Sequence, residues 1–295
     1  MNSTSTIDTM TGNTGNTRAM GDILVATGRL QAADLARILE RQQQDGVAFG
    51  DAAIALKLLT REDIDFALSQ QFDYAYLQEG QSPLSSQLVA AYKPFSRVGE
   101  NLRAVRSQLM LRWFNSQPDQ KTIAVVSAGQ GDGRSFIAAN LAIVFSQQGQ
   151  RTLLIDGDMR AKPESSQYAL FKLQRGAGLS GILAGRATLE AAQAVPGLPG
   201  LKVLPAGSLP PNPQELLGRV AFAQVLFAAS QEFDVILIDT PGGIDYSDGE
   251  IIAARAGAAL MVARRHTSLV AGTRAMGRRL QDGGVALVGS VLNDS

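Results

Sequence analysis

Thr122-Ile123-Ala124-Val125-Val126-Ser127-Ala128-Gly129-Gln130-Gly131-Asp132-Gly133-Arg134-Ser135-Phe136 runs from apolar residues through a glycine loop into a helix-like pattern. The spacing predicts a buried strand over residues 122–126 and a helix opening near Ser135. Strand, glycine loop and helix start, in that order, are the context of a phosphate-binding P-loop. Glycines let backbone N–H groups turn inward around an anion, and the new helix aims its positive end at the same point. Gly129, Gln130, Gly131, Asp132, Gly133, Arg134, Ser135 and Phe136 are therefore the expected phosphate-binding residues, with the Ser135 hydroxyl on a metal ion. The usual pattern has Gly first and Lys before the Ser/Thr; Ala128 and Arg134 stand in those places here.

Two further segments bear on that reading. Residues 153–155 are apolar and end at Asp156-Gly157-Asp158-Met159-Arg160; residues 235–238 are apolar and end at Asp239-Thr240-Pro241. In a parallel sheet with helical crossovers, ligands lie beyond the carboxyl ends of the strands. Asp156, Asp158 and Asp239 should then gather near Ser135. Phosphates would repel three carboxylates unless a divalent cation lay between them, so ATP with Mg²⁺ is the expected ligand, with Ser135, Asp156 and Asp239 around the metal. Aspartates at strand ends also serve as plain turn residues. Three of them beside a glycine loop favour the nucleotide.

Composition narrows the alternatives. The chain has 295 residues, enough for about two domains. Lys and Arg total 27 against 27 Asp and Glu, so no global field favours nucleic acid or an anionic surface. With no cysteine there is neither a disulfide nor a thiolate metal site. No apolar run approaches the roughly 20 residues that span a bilayer, and the start lacks a secretory pattern. A cytoplasmic protein is expected.

Along the chain, residues 1–18 are polar and read as a disordered tail. Residues 19–77 contain a duplication: the stretch from Ala19 to Gln42 matches that from Ala48 to Gln71, each with a Gly-Asp, an apolar cluster and a helical stripe. Thr60 and Asp63 have the spacing of a capping box. The unit resembles the paired repeats of the N-terminal domain of type II secretion and pilus ATPases, some of which bind cyclic di-GMP. The Arg that opens each repeat there is replaced by Ala19 and Ala48, and Lys57 stands at the mid-unit Gly position matched by Gly28. A protein-docking role is expected ahead of the dinucleotide. Residues 78–98 read as a linker.

Residues 99–295 read as an α/β unit, a mainly parallel, doubly wound sheet of P-loop NTPase type, preceded by the small helical domain. Strands are expected at 201–205, 258–263 and 285–292, with a helix over 269–280. Glu100, Arg103 and Arg106 share one helical face. Lone His266, beside Arg264 and Arg265, is expected at the surface of a strand end rather than as a base.

Glu100-x-x-Arg103-x-x-Arg106, the P-loop, Asp156-x-Asp158-x-Arg160, Gly178-Leu179-Ser180, Pro210-Pro211-Asn212-Pro213-Gln214-Glu215-Leu216-Leu217 and Asp239-Thr240-Pro241 together resemble the bacterial tyrosine kinases of the polysaccharide co-polymerase type. Over its whole length the chain resembles their EpsG-like members. The resemblance implies phosphoryl transfer from ATP·Mg²⁺ to a tyrosine, with Asp156, Asp158 and Arg134 catalytic and Asn293 against the adenine. It implies that Glu100, Arg103 and Arg106 join copies into a homo-oligomer. It also implies an inner-membrane chain-length determinant as partner, since the kinase itself would lie peripheral to the membrane. The last tyrosine in the sequence is Tyr246, so the tyrosine-rich tail of relatives has no counterpart. With Arg134 in place of Lys, slow turnover is expected, faster in Arg134→Lys. A nucleotide-sensing scaffold without turnover is the second reading, and a MinD- or ParA-like ATPase, which carries a further Lys early in the loop, the third.

Overall fold

The computed structural model describes residues 19–71, 75–78, 80–162, 164, 166–243 and 246–294. The tail expected over 1–18 lies outside the described residues. The chain divides into two compact units, one up to residue 74 and one from residue 75.

The first unit is four helices: α1 (Met20–Ala26), α2 (Ala32–Asp45), α3 (Phe49–Ala55) and α4 (Arg61–Gln71). Leu24, Ile38, Ala53 and Ala67 are wholly buried at its centre. The duplicated glycines sit where helices meet. A Cβ on Gly21 would lie 2.5 Å from Leu35 and one on Gly50 3.2 Å from Ile64. Gly28 and Lys57 both adopt left-handed backbone, φ +72° and +55°, so the second repeat holds a side chain in a conformation that glycine takes without strain.

The capping box at the start of α4 is present. The Asp63 carboxylate accepts from the Thr60 N–H at 3.0 Å, and Thr60 Oγ1 accepts from the Asp63 N–H at 3.2 Å. Arg29 pairs with Asp63 and lies 4.3 Å above the Phe66 ring. Burial works to raise the Asp63 carboxyl, but the Thr60 and Arg29 hydrogen bonds outweigh it and hold it below the usual range. A carboxyl whose pKa falls on folding stabilises the fold above its unfolded value, near 4, and loses that contribution as pH drops through the folded value. Asp63→Ala should destabilise this unit at neutral pH, read as faster amide exchange in α4, and progressively less as pH falls through the folded value of this carboxyl.

The second unit opens with α5 (Val89–Tyr92) and α6 (Arg97–Leu109), which continues as a π-helical turn, Met110–Phe114. Then come β1 (Thr122–Val126), α7 (Arg134–Ser146), β2 (Thr152–Asp156), α8 (Gln167–Leu170), α9 (Leu179–Leu183), β3 (Gln193–Ala194) and β4 (Leu201–Leu204). The chain ends with α10 (Pro213–Gly218), α11 (Val220–Glu232), β5 (Val235–Asp239), α12 (Asp248–Ala256), β6 (Ala258–Arg264), α13 (Val270–Asp282) and β7 (Ala286–Asn293). The seven strands lie in the order β3-β4-β2-β5-β1-β6-β7. All pairs are parallel except β3 with β4, so the α/β prediction gains one antiparallel edge. Ile123, Val125, Leu154 and Leu237 face one core layer, and Ala124, Val126, Ile155 and Ile238 the other. Burial on both faces is why these strands read as continuous apolar runs.

The linker expected over 78–98 is corrected. Leu84, Leu88, Ala90, Ala91 and Tyr92 belong to the core of the α/β unit. Asn140 accepts from the Ala90 N–H and donates to the Gln87 carbonyl, 2.9 and 3.0 Å. Leu77 donates from its N–H to the Ala91 carbonyl, so residues 75–77 also join this unit rather than the helical one. Ser, Gln and Pro dominate the segment's composition, yet its few apolar residues are the ones that pack.

Candidate nucleotide site

The parallel register brings the strand tips together. Asp156 stands opposite Asp239 on neighbouring β2 and β5, and Val125 of β1 stands opposite Asp239 on its other side. Neighbouring strands run about 5 Å apart, with aligned side chains on the same face. Gly157 follows because the chain passes close to β5: a Cβ there would lie 2.7 Å from the Asp239 carbonyl.

The glycine loop leaves β1 and turns back into α7 through left-handed Gly131 and Gly133, φ +76° and +93°. A side chain at Gly133 would strike the Asn293 amide at 2.2 Å. The loop's carbonyls are held from outside. Gly129 O accepts from Ser127 Oγ and Arg134 Nη1, Gly131 O from Arg264 Nη1, and Asp132 O from Asn293 Nδ2. Asp132, 1% exposed, accepts from the Gly129 N–H at 2.9 Å and from Ser268 Oγ at 2.7 Å. The loop and the start of α7 border a cleft of about 440 Å³, lined by Gln130, Gly131, Gly133, Arg134, Ser135, Phe136, Asp158, Arg160 and Tyr246 among others. A loop that presents N–H groups at a 13-residue helix start is suited to an anion.

Asp156 is wholly buried, accepting from the Asp158 N–H at 3.1 Å and the Gln167 N–H at 3.2 Å. Burial above all, then Asp239, then Asp158, pushes its carboxyl well above the usual range. Burial raises the Asp239 carboxyl too, against the Arg134 charge and the hydrogen bonds of Ser135 and Gln167, which lower it. Gln167 Nε2 joins Asp239 Oδ2, at 2.8 Å, to the Ser135 carbonyl, at 3.0 Å. Asp239 Oδ1 and Gln167 Oε1 are buried with no partner among the described residues. Asp158 accepts from the Arg160 and Ala161 N–H groups and borders both the cleft and a second cavity of about 410 Å³, where Asp156, Tyr168 and Arg175 also lie.

Among the described residues no three His, Cys, Asp or Glu side chains form a metal site by themselves. Two crowded carboxylates, a hydroxyl and orphaned oxygens nevertheless fit Mg²⁺, which takes oxygen ligands and is commonly bound through one or two carboxylates plus substrate phosphates.

Three expected site residues are engaged differently from their sequence reading. Arg134 is 8% exposed, and its guanidinium turns under the loop. Nε donates to the Thr240 carbonyl at 3.0 Å, while Nη1 donates to Gly129 O at 2.8 Å and to Ser127 Oγ. Arg134 thus braces the loop as well as bordering the cleft: buried carbonyls need donors, and this fork supplies them. Arg103 pairs with Glu100 and reaches the Pro94 carbonyl; Arg106 donates to the Val144 carbonyl. Of that helical face only the Glu100 side chain is largely exposed, at 72%. His266 is exposed in the turn after β6, as expected.

Sequence reasoning missed Gln167 and Ser268, which sit in no motif and act through tertiary contacts. It also missed the partners of Arg160, whose Nε and Nη2 fork onto Asp248 at 2.7 and 3.1 Å and whose guanidinium carbon lies 4.0 Å over the Tyr246 ring.

A family model described as an AAA domain matches residues 120–256. The chain is 33% identical over 181 residues to the tyrosine-protein kinase YwqD of Bacillus subtilis, covering 61% of this chain and 74% of that protein. It is 32% identical over 208 residues to the tyrosine-protein kinase wzc of Salmonella typhimurium, covering 70% of this chain and 28% of that protein. It thus spans little more than a quarter of the longer relative. Among solved structures, the kinase domain of the Escherichia coli tyrosine kinase ETK superposes with a TM-score of 0.67 at 29% identity, covering 74% of this chain and 83% of that one.

Proposed function

The chain belongs to the bacterial tyrosine-kinase family, and from that membership we propose that it is an ATP- and Mg²⁺-dependent protein-tyrosine kinase that regulates exopolysaccharide polymerisation. The observation that carries the reading is Asp156 and Asp239, buried side by side at the strand tips next to the Ser135 helix start. When bound, ATP with Mg²⁺ supplies the transferable phosphoryl group and the positive charge these carboxylates lack.

N–H groups from Gly131 to Ser135 hold phosphate oxygens. The Ser135 hydroxyl and Asp239 would hold the cation, and Asp158 would support its water shell. Asp156, which borders the second cavity, would orient the acceptor hydroxyl or take its proton. Asn293, packed on Gly133, borders the end of the loop where the base would lie.

Partners follow from the same reading. The proposed link to the inner membrane is a chain-length determinant; among the described residues no helix is long and apolar enough to cross a membrane. Copies of the chain would meet at the Glu100 helix. The first unit would dock a protein, with cyclic di-GMP as the second candidate ligand. The engaged Arg134 favours a second reading, a nucleotide-sensing scaffold without turnover.

The deciding measurement is calorimetry and ATP turnover on the full chain, with and without the cytoplasmic ends of a co-encoded membrane protein. Mg²⁺-dependent binding with turnover that the partner accelerates is the expected result. Binding without turnover selects the scaffold, and no heat of association with ATP removes both.

A further inference from the structure

The terminal phosphate of a nucleotide carries the most charge, and beside Mg²⁺ a cationic side chain commonly meets it. The residue at the expected position, Arg134, also borders the cleft, but its Nε and Nη1 donors are on buried protein oxygens, which leaves only Nη2. Asp239 also draws on its charge. Turning it outward would leave the Thr240 carbonyl, wholly buried with its residue, without that donor.

Arg160 lines the same cleft as Gly131, Gly133 and Ser135. Its Nε and Nη2 are fixed in a two-bond fork on Asp248, which is 0% exposed, and its plane is held over Tyr246. Nη1 has no partner among the described residues, and the side chain is 28% exposed. A guanidinium already ordered by a buried carboxylate and an aromatic ring loses little further freedom when an anion meets its remaining donor. We propose that Arg160, rather than Arg134, supplies the charge that meets the terminal phosphate of the bound nucleotide, with Asp248 and Tyr246 as positioning residues. The inference rests on the ATP reading of the cleft.

The test is calorimetry on the full chain with the Mg²⁺ complexes of ADP and of a non-hydrolysable ATP analogue, together with the melting temperature of the nucleotide-free protein. Arg160→Gln should weaken the triphosphate analogue by about 10- to 100-fold, the size of a charged hydrogen bond. ADP binding should change by less than about 3-fold. Arg160→Lys, which keeps the charge and carries the test if the glutamine variant does not fold, should recover only part of the loss because it lacks the fork. Asp248→Asn should fall between wild type and Arg160→Gln. Equal weakening of both nucleotides, or of neither, would make the Arg160–Asp248 pair a structural clamp and overturn the proposal. Failure of the wild-type chain to bind either nucleotide would instead overturn the ATP reading on which it stands.

Discussion

Asp156→Asn should sharply reduce ATP turnover and, in the same protein, raise the melting temperature of the nucleotide-free chain relative to wild type as pH climbs above about 4. The Asp156 carboxyl is buried beside Asp239 and near Asp158, so its charged form is disfavoured by burial first and by like charge second. Its pKa is therefore higher folded than unfolded. A raised carboxyl pKa leaves stability intact below the unfolded value, near 4, and erodes it as pH climbs toward the folded value. Asparagine removes the charge and keeps one oxygen acceptor for the Asp158 N–H, while its NH₂ faces the Gln167 N–H, a cost that does not vary with pH. The gain in melting temperature should be absent near pH 4 and grow above it. Turnover should fall by about 10²–10⁴, the usual contribution of a positioned base. Turnover that survives with a lowered melting temperature would make Asp156 a structural residue and refute its role in transfer.

Arg134→Met should produce the largest loss of stability. The fork joins the loop after β1 to the tip of β5 through Thr240 O, Gly129 O and Ser127 Oγ. Methionine fills much of the space but leaves the Thr240 carbonyl without that donor and Asp239 without the neighbouring charge. An unsatisfied buried acceptor costs about 1–3 kcal/mol, and with the lost charge the total comes to about 3 kcal/mol. For a chain of this size that is a fall of roughly 6–12 °C in melting temperature. Arg134→Lys should lie between, since one ammonium cannot follow the planar fork to all three oxygens. The expectation that lysine at 134 would simply speed turnover assumed a side chain facing the phosphates, whereas the guanidinium faces protein carbonyls. A melting temperature unchanged in Arg134→Met would refute the staple.

Much of the site was readable because its signals are local. A glycine pair that needs left-handed backbone, a hydroxyl at a helix start and carboxylates after apolar runs each lie within a few consecutive residues. The capping box of Thr60 and Asp63 was legible for the same reason. Gln167 was not: it bonds Asp239, 72 positions away, and Ser135, 32 positions away, and no spacing rule joins them. Ser268 on Asp132 spans 136 positions. The Ser- and Pro-containing stretch over 78–98 misled because composition averages over the few residues that pack, and Leu84, Leu88 and Tyr92 decide its place.

The sequence by itself determined the element types, the two-unit division in outline and the P-loop, because apolar period and glycine placement act within one segment. Tertiary structure alone decided that β5 inserts between β2 and β1, setting Asp239 abreast of Asp156, and that Arg134 and Arg160 both border the cleft, the first bonded to loop and β5-tip oxygens and the second forked on Asp248. The reason is physical: strand neighbours are chosen by burying both sheet faces at once, and a guanidinium goes to whichever buried oxygens the assembled fold leaves without donors.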